Sequence, residues 1–405
     1  MILPRKLFPL VSGYSLKNYY LVKILSEQYA VDLCLLTTEE ISEEEKKFYA
    51  KYLESIQIFH MNKAERITGM LKAFFRGDPL QVGLYDSGNL MRYMRMISED
   101  QYQGCICELV RTMRYSEKLH IPVVFDMVDS IGLNYQKSMK ETTDFRYRMY
   151  YKFETDRLLR FEKKCIERAA VTFLFNKEER NYWVNAGNVC WLPHGVREEL
   201  LHYQGDTSRE KSETEKGLPE TYLAFIGKMN YRPNVDAVLW YVENIHAKLE
   251  QKFPLVIVGA YPTNEIQQLG IKFPDIYITG YMDDPYVVLS HAKAVIAPMQ
   301  TGGGIQNKVL EAMALGKLNI VSLKAAEPIA GAENGREFLV CDDIEEYRQV
   351  YNRLIQDPEY GNHIGSNAKT FIKEHFTWEK YGKMYLEQLE KVFRNQENPN
   401  RQNNI

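Results

Sequence analysis

No stretch of the 405 residues approaches the roughly 18 consecutive apolar positions that a membrane-spanning helix needs. A surplus of one charge is missing too: 51 Lys and Arg stand against 54 Asp and Glu, whereas a dedicated nucleic-acid binder carries a clear basic excess. Cysteines are few and scattered, at positions 34, 105, 107, 165, 190 and 341, and the eight histidines do not gather near them, which argues against a zinc site. The opening Met1-Ile-Leu-Pro-Arg-Lys lacks the apolar core of a secretory signal, so reduced thiols and a cytoplasmic location are expected. Tryptophan is scarce, with 4 residues against 28 tyrosines. What remains is ordinary globular composition, 45% hydrophobic and 26% charged, which excludes extended disorder and collagen-like repeats. At roughly 100–200 residues per domain, the length predicts two domains.

The first half alternates short apolar runs with helix-length segments. Strands are predicted near Val31–Leu36, Cys105–Val110, Pro122–Asp126, Val171–Phe175 and Val189–Pro193, with helices over Ser15–Tyr29 and Phe145–Ala169. Such alternation predicts βαβ units and parallel sheets. The stretch His202–Glu220 is polar and nearly free of apolar residues, as a linker would be. The alternation then restarts, with strands expected near Tyr222–Ile226, Leu255–Val258, Ile276–Ile278, Ala294–Ala297 and Asn319–Ser322. The fold class is therefore α/β, as two doubly wound domains. Residues 1–200 hold 29 basic and 27 acidic residues, the remainder 22 and 27.

The sharpest local pattern is Pro298-Met-Gln-Thr-Gly302-Gly303-Gly304-Ile305-Gln-Asn-Lys308-Val-Leu-Glu311. A strand ends, three glycines follow, and a helix is predicted from about Ile305. Glycines let a ligand approach the backbone closely, and a helix amino terminus presents free N–H groups to an anion. Lys308 and Glu311, three apart, share a helix face. There the lysine can add charge to a diphosphate, and the carboxylate can accept hydrogen bonds from the vicinal hydroxyls of a ribose. The bland alternative is a glycine turn followed by a surface ion pair.

This segment resembles the signature of family 4 glycosyltransferases, and other stretches agree in order. Phe225-Ile-Gly227-Lys228 is similar to the opening of that family's second domain, Ile278-Thr-Gly280-Tyr281 to its base-binding turn, and Trp191-Leu-Pro-His194-Gly-Val to the end of its first domain. Phe376-Thr-Trp378 is similar to its carboxy-terminal crossover. Pro9-Leu-Val-Ser12-Gly13-Tyr14 and Asp126-Met-Val-Asp129-Ser resemble its first-domain motifs, and Asp78–Gly88 fits a subgroup of bacterial exopolysaccharide-type sugar transferases.

The resemblance implies the GT-B fold, two facing Rossmann-like domains with a carboxy-terminal helix crossing back to the first. The expected boundaries are 1–197 on the acceptor side, 198–375 on the nucleotide-sugar donor side, a helix over 376–395 and a disordered tail over 396–405. Cleft closure is expected around the hinge at 196–220. The implied donor-binding residues are Gly227, Lys228, Gly280, Tyr281, Gly302, Gly303, Gly304, Ile305, Lys308 and Glu311, and the acceptor-side loop is Ser12, Gly13 and Tyr14. Asp129, Asp126 and Lys308 are the expected catalytic residues, Asp129 being preferred as the carboxylate nearer the acceptor. The implied activity is sugar transfer from a nucleotide diphosphate, UDP favoured over GDP, to a saccharide, lipid-linked or protein acceptor in surface polysaccharide or glycoconjugate synthesis. Retention of configuration is expected, without cofactor, metal or nucleic acid, and with peripheral contact to the cytoplasmic face of the inner membrane among the partners.

The sequence departs from the family at several points. Many members carry a glutamate where Gly303 stands, the usual Asn is His194, the second loop Gly is Tyr14, and a frequent His is Val128. These departures keep open an alternative, a non-catalytic GT-B subunit that binds an acceptor or an active partner. Other residues have local readings. Asn234, after Pro233, reads as helix-start punctuation. Arg146–Lys152 reads as a solvated helix face or a lipid contact, and Met70–Phe75 reads as core.

Overall fold

The computed structural model describes all residues except 11, 142–144, 204–216, 302–303, 358 and 398–405. The chain divides into two compact units, Met1–His194 with Trp378–Ile405, and Gly195–Thr377. The division falls at His194/Gly195, three residues before the expected boundary. Most of the polar stretch 202–220 and most of the tail lie outside the described residues.

Unit 1 contains a seven-stranded parallel sheet in the order β3-β2-β1-β4-β5-β6-β7. Its strands are β1 Ile2–Leu3, β2 Asp32–Thr37, β3 Ser55–His60, β4 Cys105–Glu108, β5 Val123–Val128, β6 Val171–Leu174 and β7 Val189–Trp191. Because β4, β5 and β6 are covered on both faces, all their residues but Val128 are buried, so they read in sequence as short continuous apolar runs. The edge strand β3 is mostly exposed and carries no such run. The helix Trp378–Glu397 belongs to this unit: Trp378 stacks on Tyr20 with centroids 4.5 Å apart, and Tyr385 packs on Phe173 at the same separation. His194 is buried beside Phe175, ring to ring 4.9 Å. The six cysteines are free, and all but Cys190 are buried.

Unit 2 contains a six-stranded parallel sheet in the order β10-β9-β8-β11-β12-β13. These are β8 Leu223–Ile226, β9 Leu255–Val258, β10 Ile276–Gly280, β11 Ala294–Ala297, β12 Asn319–Val321 and β13 Leu339–Val340. The strand order reverses direction between β8 and β11, as it does between β1 and β4 in unit 1. In open α/β sheets the carboxyl ends of the strands at such a switch point form the ligand crevice. Among the described residues no helix is long and apolar enough to cross a membrane.

Candidate functional site

In unit 2 the loops after β8 and β11 flank the switch point. After β8 the chain makes a close approach to β9: a Cβ added at Gly259, whose φ is +155°, would lie 1.8 Å from the Gly227 carbonyl oxygen. Only glycine permits this contact, and a Cβ at Gly227 would in turn strike the Asn234 amide at 2.5 Å. After β11 the chain passes through Gly304, at φ +74°, into the helix Asn307–Ala314. That helix starts two residues later than expected, with Gln306 as a cap that makes no side-chain hydrogen bond.

Lys308, in the first turn, joins the two loops. Its ammonium donates to Asn234 Oδ1, lies 3.6 Å from Met299 Sδ and sits 4.7 Å from the centre of the Phe225 ring. Asn234 Nδ2 donates to the Lys228 carbonyl at 3.0 Å. Asn234 therefore does not cap its helix; its side chain ties Lys308 to the end of β8. Burial pulls the Lys308 amine down to about 7, against the raising influence of Glu311. Burial likewise pushes Glu311 up to about 7, opposed by Arg197, a hydrogen bond from Tyr286 and the charge of Lys308. Tyr286 is itself fixed by its backbone N–H, which donates to Asp284 Oδ1 at 3.0 Å, and Asp284 Oδ2 accepts from Tyr203 at 2.9 Å. Arg197 and Tyr286 were not singled out in the sequence, because neither lies in a glycine-rich or strand-end motif.

In unit 1 the register pairs Glu108 of β4 with Asp126 of β5, placing two carboxylates side by side on adjacent strands. Lys17, from the helix Gly13–Ser26, bridges them: its ammonium contacts Glu108 Oε2 at 2.5 Å and also Asp126 Oδ2. Asn18 donates to the other Glu108 oxygen at 3.0 Å. All four side chains are buried. Burial, foremost, and the neighbouring Asp126 push Glu108 up to about 7 despite Lys17. Asp126 is thus buried inside the sheet and paired with Lys17.

Asp129 is placed differently. The β5–β6 register shifts between Asp126 and Val128, and Val128 adopts φ +68°, a conformation β-branched residues rarely take. Such strain costs about 1–3 kcal/mol and is held by surrounding contacts. Here the Val128 carbonyl accepts from Phe175 N at 2.9 Å, the Ser130 N–H donates to Glu179 at 2.7 Å, and Glu162 accepts from the Ser130 hydroxyl at 2.7 Å and from Gly132 N at 3.0 Å. Asp129 is half-buried, and burial pushes its carboxyl up to about 6. Burial and then the Asp129 charge hold Glu179 well above the ordinary carboxylate range. Glu162 and Glu179 were missed because nothing in their local sequence distinguishes them from other helix glutamates. Among the described residues, no group of three or more His, Cys, Asp or Glu could hold a metal ion.

Residues 220–357 match the family described as glycosyl transferases group 1. An uncharacterized glycosyltransferase of Methanocaldococcus jannaschii is 24% identical over 266 residues, which is 63% of this chain and 66% of that protein. In fold, sucrose-phosphate synthase from Thermosynechococcus elongatus is similar with a TM-score of 0.67 and 16% identity, over 96% of this chain and 95% of its own. Anabaena HepE, solved with UDP, is similar with a TM-score of 0.64 and 14% identity, over 96% and 99%. The likeness covers both sheets and establishes the GT-B fold class.

Within unit 2 the structure brings Gly227, the Lys228 carbonyl and Lys308 together through Asn234, with Glu311 one turn beyond. The Lys228 ammonium is not part of this group; the side chain is exposed, 5.7 Å above the Tyr261 ring. Gly280, at φ +69°, ends β10 and accepts from Gly259 N at 3.1 Å, while Tyr281 beside it is 73% exposed. Ile305 is half-buried against the unit 2 core. Gly302 and Gly303 lie outside the described residues. In unit 1, Ser12 caps the helix Gly13–Ser26 by accepting from Ser15 N at 3.1 Å, and Gly13 opens that helix. The Tyr14 hydroxyl donates to the Arg5 carbonyl at 3.0 Å while the Arg5 guanidinium covers its ring at 4.0 Å.

Proposed function

We propose that the chain is a nucleotide-sugar-dependent glycosyltransferase in which unit 2 holds the donor and unit 1 receives the acceptor. The observation that carries this reading is the pair Lys308 and Glu311 on one helix face at the switch point of the unit 2 sheet. The lysine is tethered toward the β8 loop and the carboxylate is held by Tyr286 and Arg197. A diphosphate beside Lys308 supplies the anion that the partly desolvated ammonium lacks. A ribose beside Glu311 supplies two donors to its carboxylate.

In the reaction the acceptor hydroxyl oxygen bonds to the anomeric carbon on the same face from which the diphosphate leaves, as the bond from that carbon to the diphosphate breaks, so configuration is retained. The hydroxyl proton passes to Asp129, and the nucleoside diphosphate departs. Asp129 suits this role because its carboxyl, pushed up to about 6, is ionised at neutral pH yet basic enough to take a proton. Lys308 and the loop amides meet the charge that develops on the departing diphosphate, a form of electrostatic stabilisation for which no metal is invoked. Asp126 serves unit 1 structurally, as the counterion of Lys17. A UDP-sugar is favoured as the donor, in keeping with the UDP and UDP-glucose complexes of HepE. Retention of configuration, a saccharide, lipid-linked or protein acceptor, and a cytoplasmic role in surface polysaccharide or glycoconjugate synthesis complete the proposal.

The test is thermal unfolding of the purified chain with UDP-, GDP- and ADP-sugars, combined with release of free nucleotide in the presence and absence of EDTA. Stabilisation and slow, EDTA-insensitive hydrolysis of one UDP-sugar are expected. No response to any nucleotide sugar overturns the reading.

A further inference from the structure

The helix Lys63–Arg76 is built the wrong way round for an ordinary surface helix. Its buried residues are the small ones, Gly69 and Ala73, which pack against Gly83. Its large apolar residues, Ile67, Leu71, Phe74 and Phe75, fall at spacings of four, three and one, on a single face. All four are exposed, Phe75 at 84%. The sequence reading of Met70–Phe75 as core holds for Ala73 but is reversed for Leu71, Phe74 and Phe75, because close packing of Gly69 on Gly83 leaves no room for large side chains on that face.

A second exposed stripe runs along the helix Phe145–Arg168, where Phe145, Met149 and Phe153 recur every four residues. The two stripes meet. The Phe74 and Phe153 rings stack with centroids 6.0 Å apart, and the Arg157 guanidinium lies 4.0 Å from the centre of Phe153 and 5.2 Å from that of Phe74.

The charge around this apolar surface is one-sided. Residues 63–76 and 145–160 together carry nine Lys and Arg against three acidic residues. One of the three, Glu154, is buried and accepts from Leu80 N at 2.8 Å. Asp78 and Asp86, from neighbouring segments, are engaged by Arg76 and Arg114. Two copies of such a surface would repel each other, whereas aromatic rings interleaved with long cationic side chains match the boundary between anionic headgroups and acyl chains.

We propose that this joint face of the helices Lys63–Arg76 and Phe145–Arg168 docks unit 1 on a membrane surface rich in anionic phospholipid. The face is separate from the residues assigned to the donor, so the proposal stands or falls independently of the nucleotide chemistry.

The experiment is sedimentation of the full chain with phosphatidylcholine vesicles, with and without phosphatidylglycerol, over a range of salt. The parent protein is compared with Leu71→Ser/Phe75→Ser and with Lys72→Ala/Lys152→Ala. These side chains are exposed, and far-UV circular dichroism confirms folding of each variant. Binding should require phosphatidylglycerol and weaken with salt. It should fall at least about tenfold when the two apolar side chains are removed, and roughly fivefold for each charge removed. The proposal is overturned by any of four results: no binding, equal binding to neutral vesicles, binding unchanged in both folded variants, or a concentration-dependent dimer that the Leu71→Ser/Phe75→Ser change abolishes.

Discussion

The ammonium of Lys308 donates to Oδ1 of Asn234, and Nδ2 of the same Asn234 donates to the Lys228 carbonyl at 3.0 Å. One amide thus fixes the cation following β11 relative to the loop following β8. Lys308→Ala removes the proposed charged contact to the diphosphate, worth about 1.5–3 kcal/mol, so turnover should fall at least about tenfold. Asn234→Ala leaves the charge but frees its position, and should cost less than Lys308→Ala. Steady-state kinetics with the responding nucleotide sugar checks both. An Asn234→Ala loss equal to that of Lys308→Ala would show that the amide itself meets the ligand.

Glu311 is held by Tyr286 and Arg197, and its proposed partner is the ribose. Glu311→Ala should weaken UDP binding at least about tenfold while leaving binding of 2′,3′-dideoxy-UDP nearly unchanged. Titration of both ligands against both proteins reads this directly. Equal losses for the two nucleotides would place the carboxylate elsewhere than at the ribose hydroxyls.

In the proposed reaction Asp129 acts in its ionised form, and burial sets its carboxyl at about 6. The rate at limiting substrate should therefore rise with pH through about 6 and fall again as the Lys308 amine loses its proton above about 7. Asp129→Asn should remove the acidic limb and lower the rate by about 10²–10⁴-fold, the usual weight of a positioned general base. An unchanged acidic limb in Asp129→Asn would assign it to another group.

Asp126 and Lys17 answer to stability. Breaking a buried ion pair by removing one partner costs about 3–5 kcal/mol, so Lys17→Met should lower the unfolding midpoint of unit 1 markedly. Chemical unfolding followed by fluorescence tests this, and a parent-like midpoint would contradict the structural role.

Glu162 gives a pH dependence of stability with a definite sign. Burial raises its carboxyl to about 7, above the ordinary value near 4.3. Its contribution is therefore complete below about 4.3 and is lost as pH rises through about 7. Over that window the parent protein should lose up to about 1.4 kcal/mol per pH unit more than Glu162→Gln, which carries no charge. Urea midpoints at mildly acid and mildly alkaline pH, compared between the two proteins, measure the difference. Parallel losses would show that the carboxylate is not desolvated.

The sheets were legible in the sequence where strands are covered on both faces. Val171–Leu174, Leu255–Val258 and Ala294–Ala297 are short apolar runs because every side chain is buried. The strands β1, β3 and β13 were not identified as strands: two span two residues each, and β3 is an exposed edge. Lys308 and Glu311 could be named from a spacing of three after a glycine run. Their partners could not, since Asn234, Tyr286 and Arg197 reach them only through folding. The sequence reading prefers Asp129 to Asp126 but holds both as catalytic candidates. The β4–β5 register and the shift at Val128 separate them, one inside the sheet and one beyond its end.

The central claim is that the face bearing Lys308 and Glu311 binds a nucleoside diphosphate. Isothermal titration of UDP into the parent chain, Lys308→Ala and Glu311→Ala tests it most directly. The account predicts one site per chain in the parent and affinity reduced at least about tenfold in each variant. Undiminished affinity in both variants, or no binding of any nucleoside diphosphate by the parent, would contradict it.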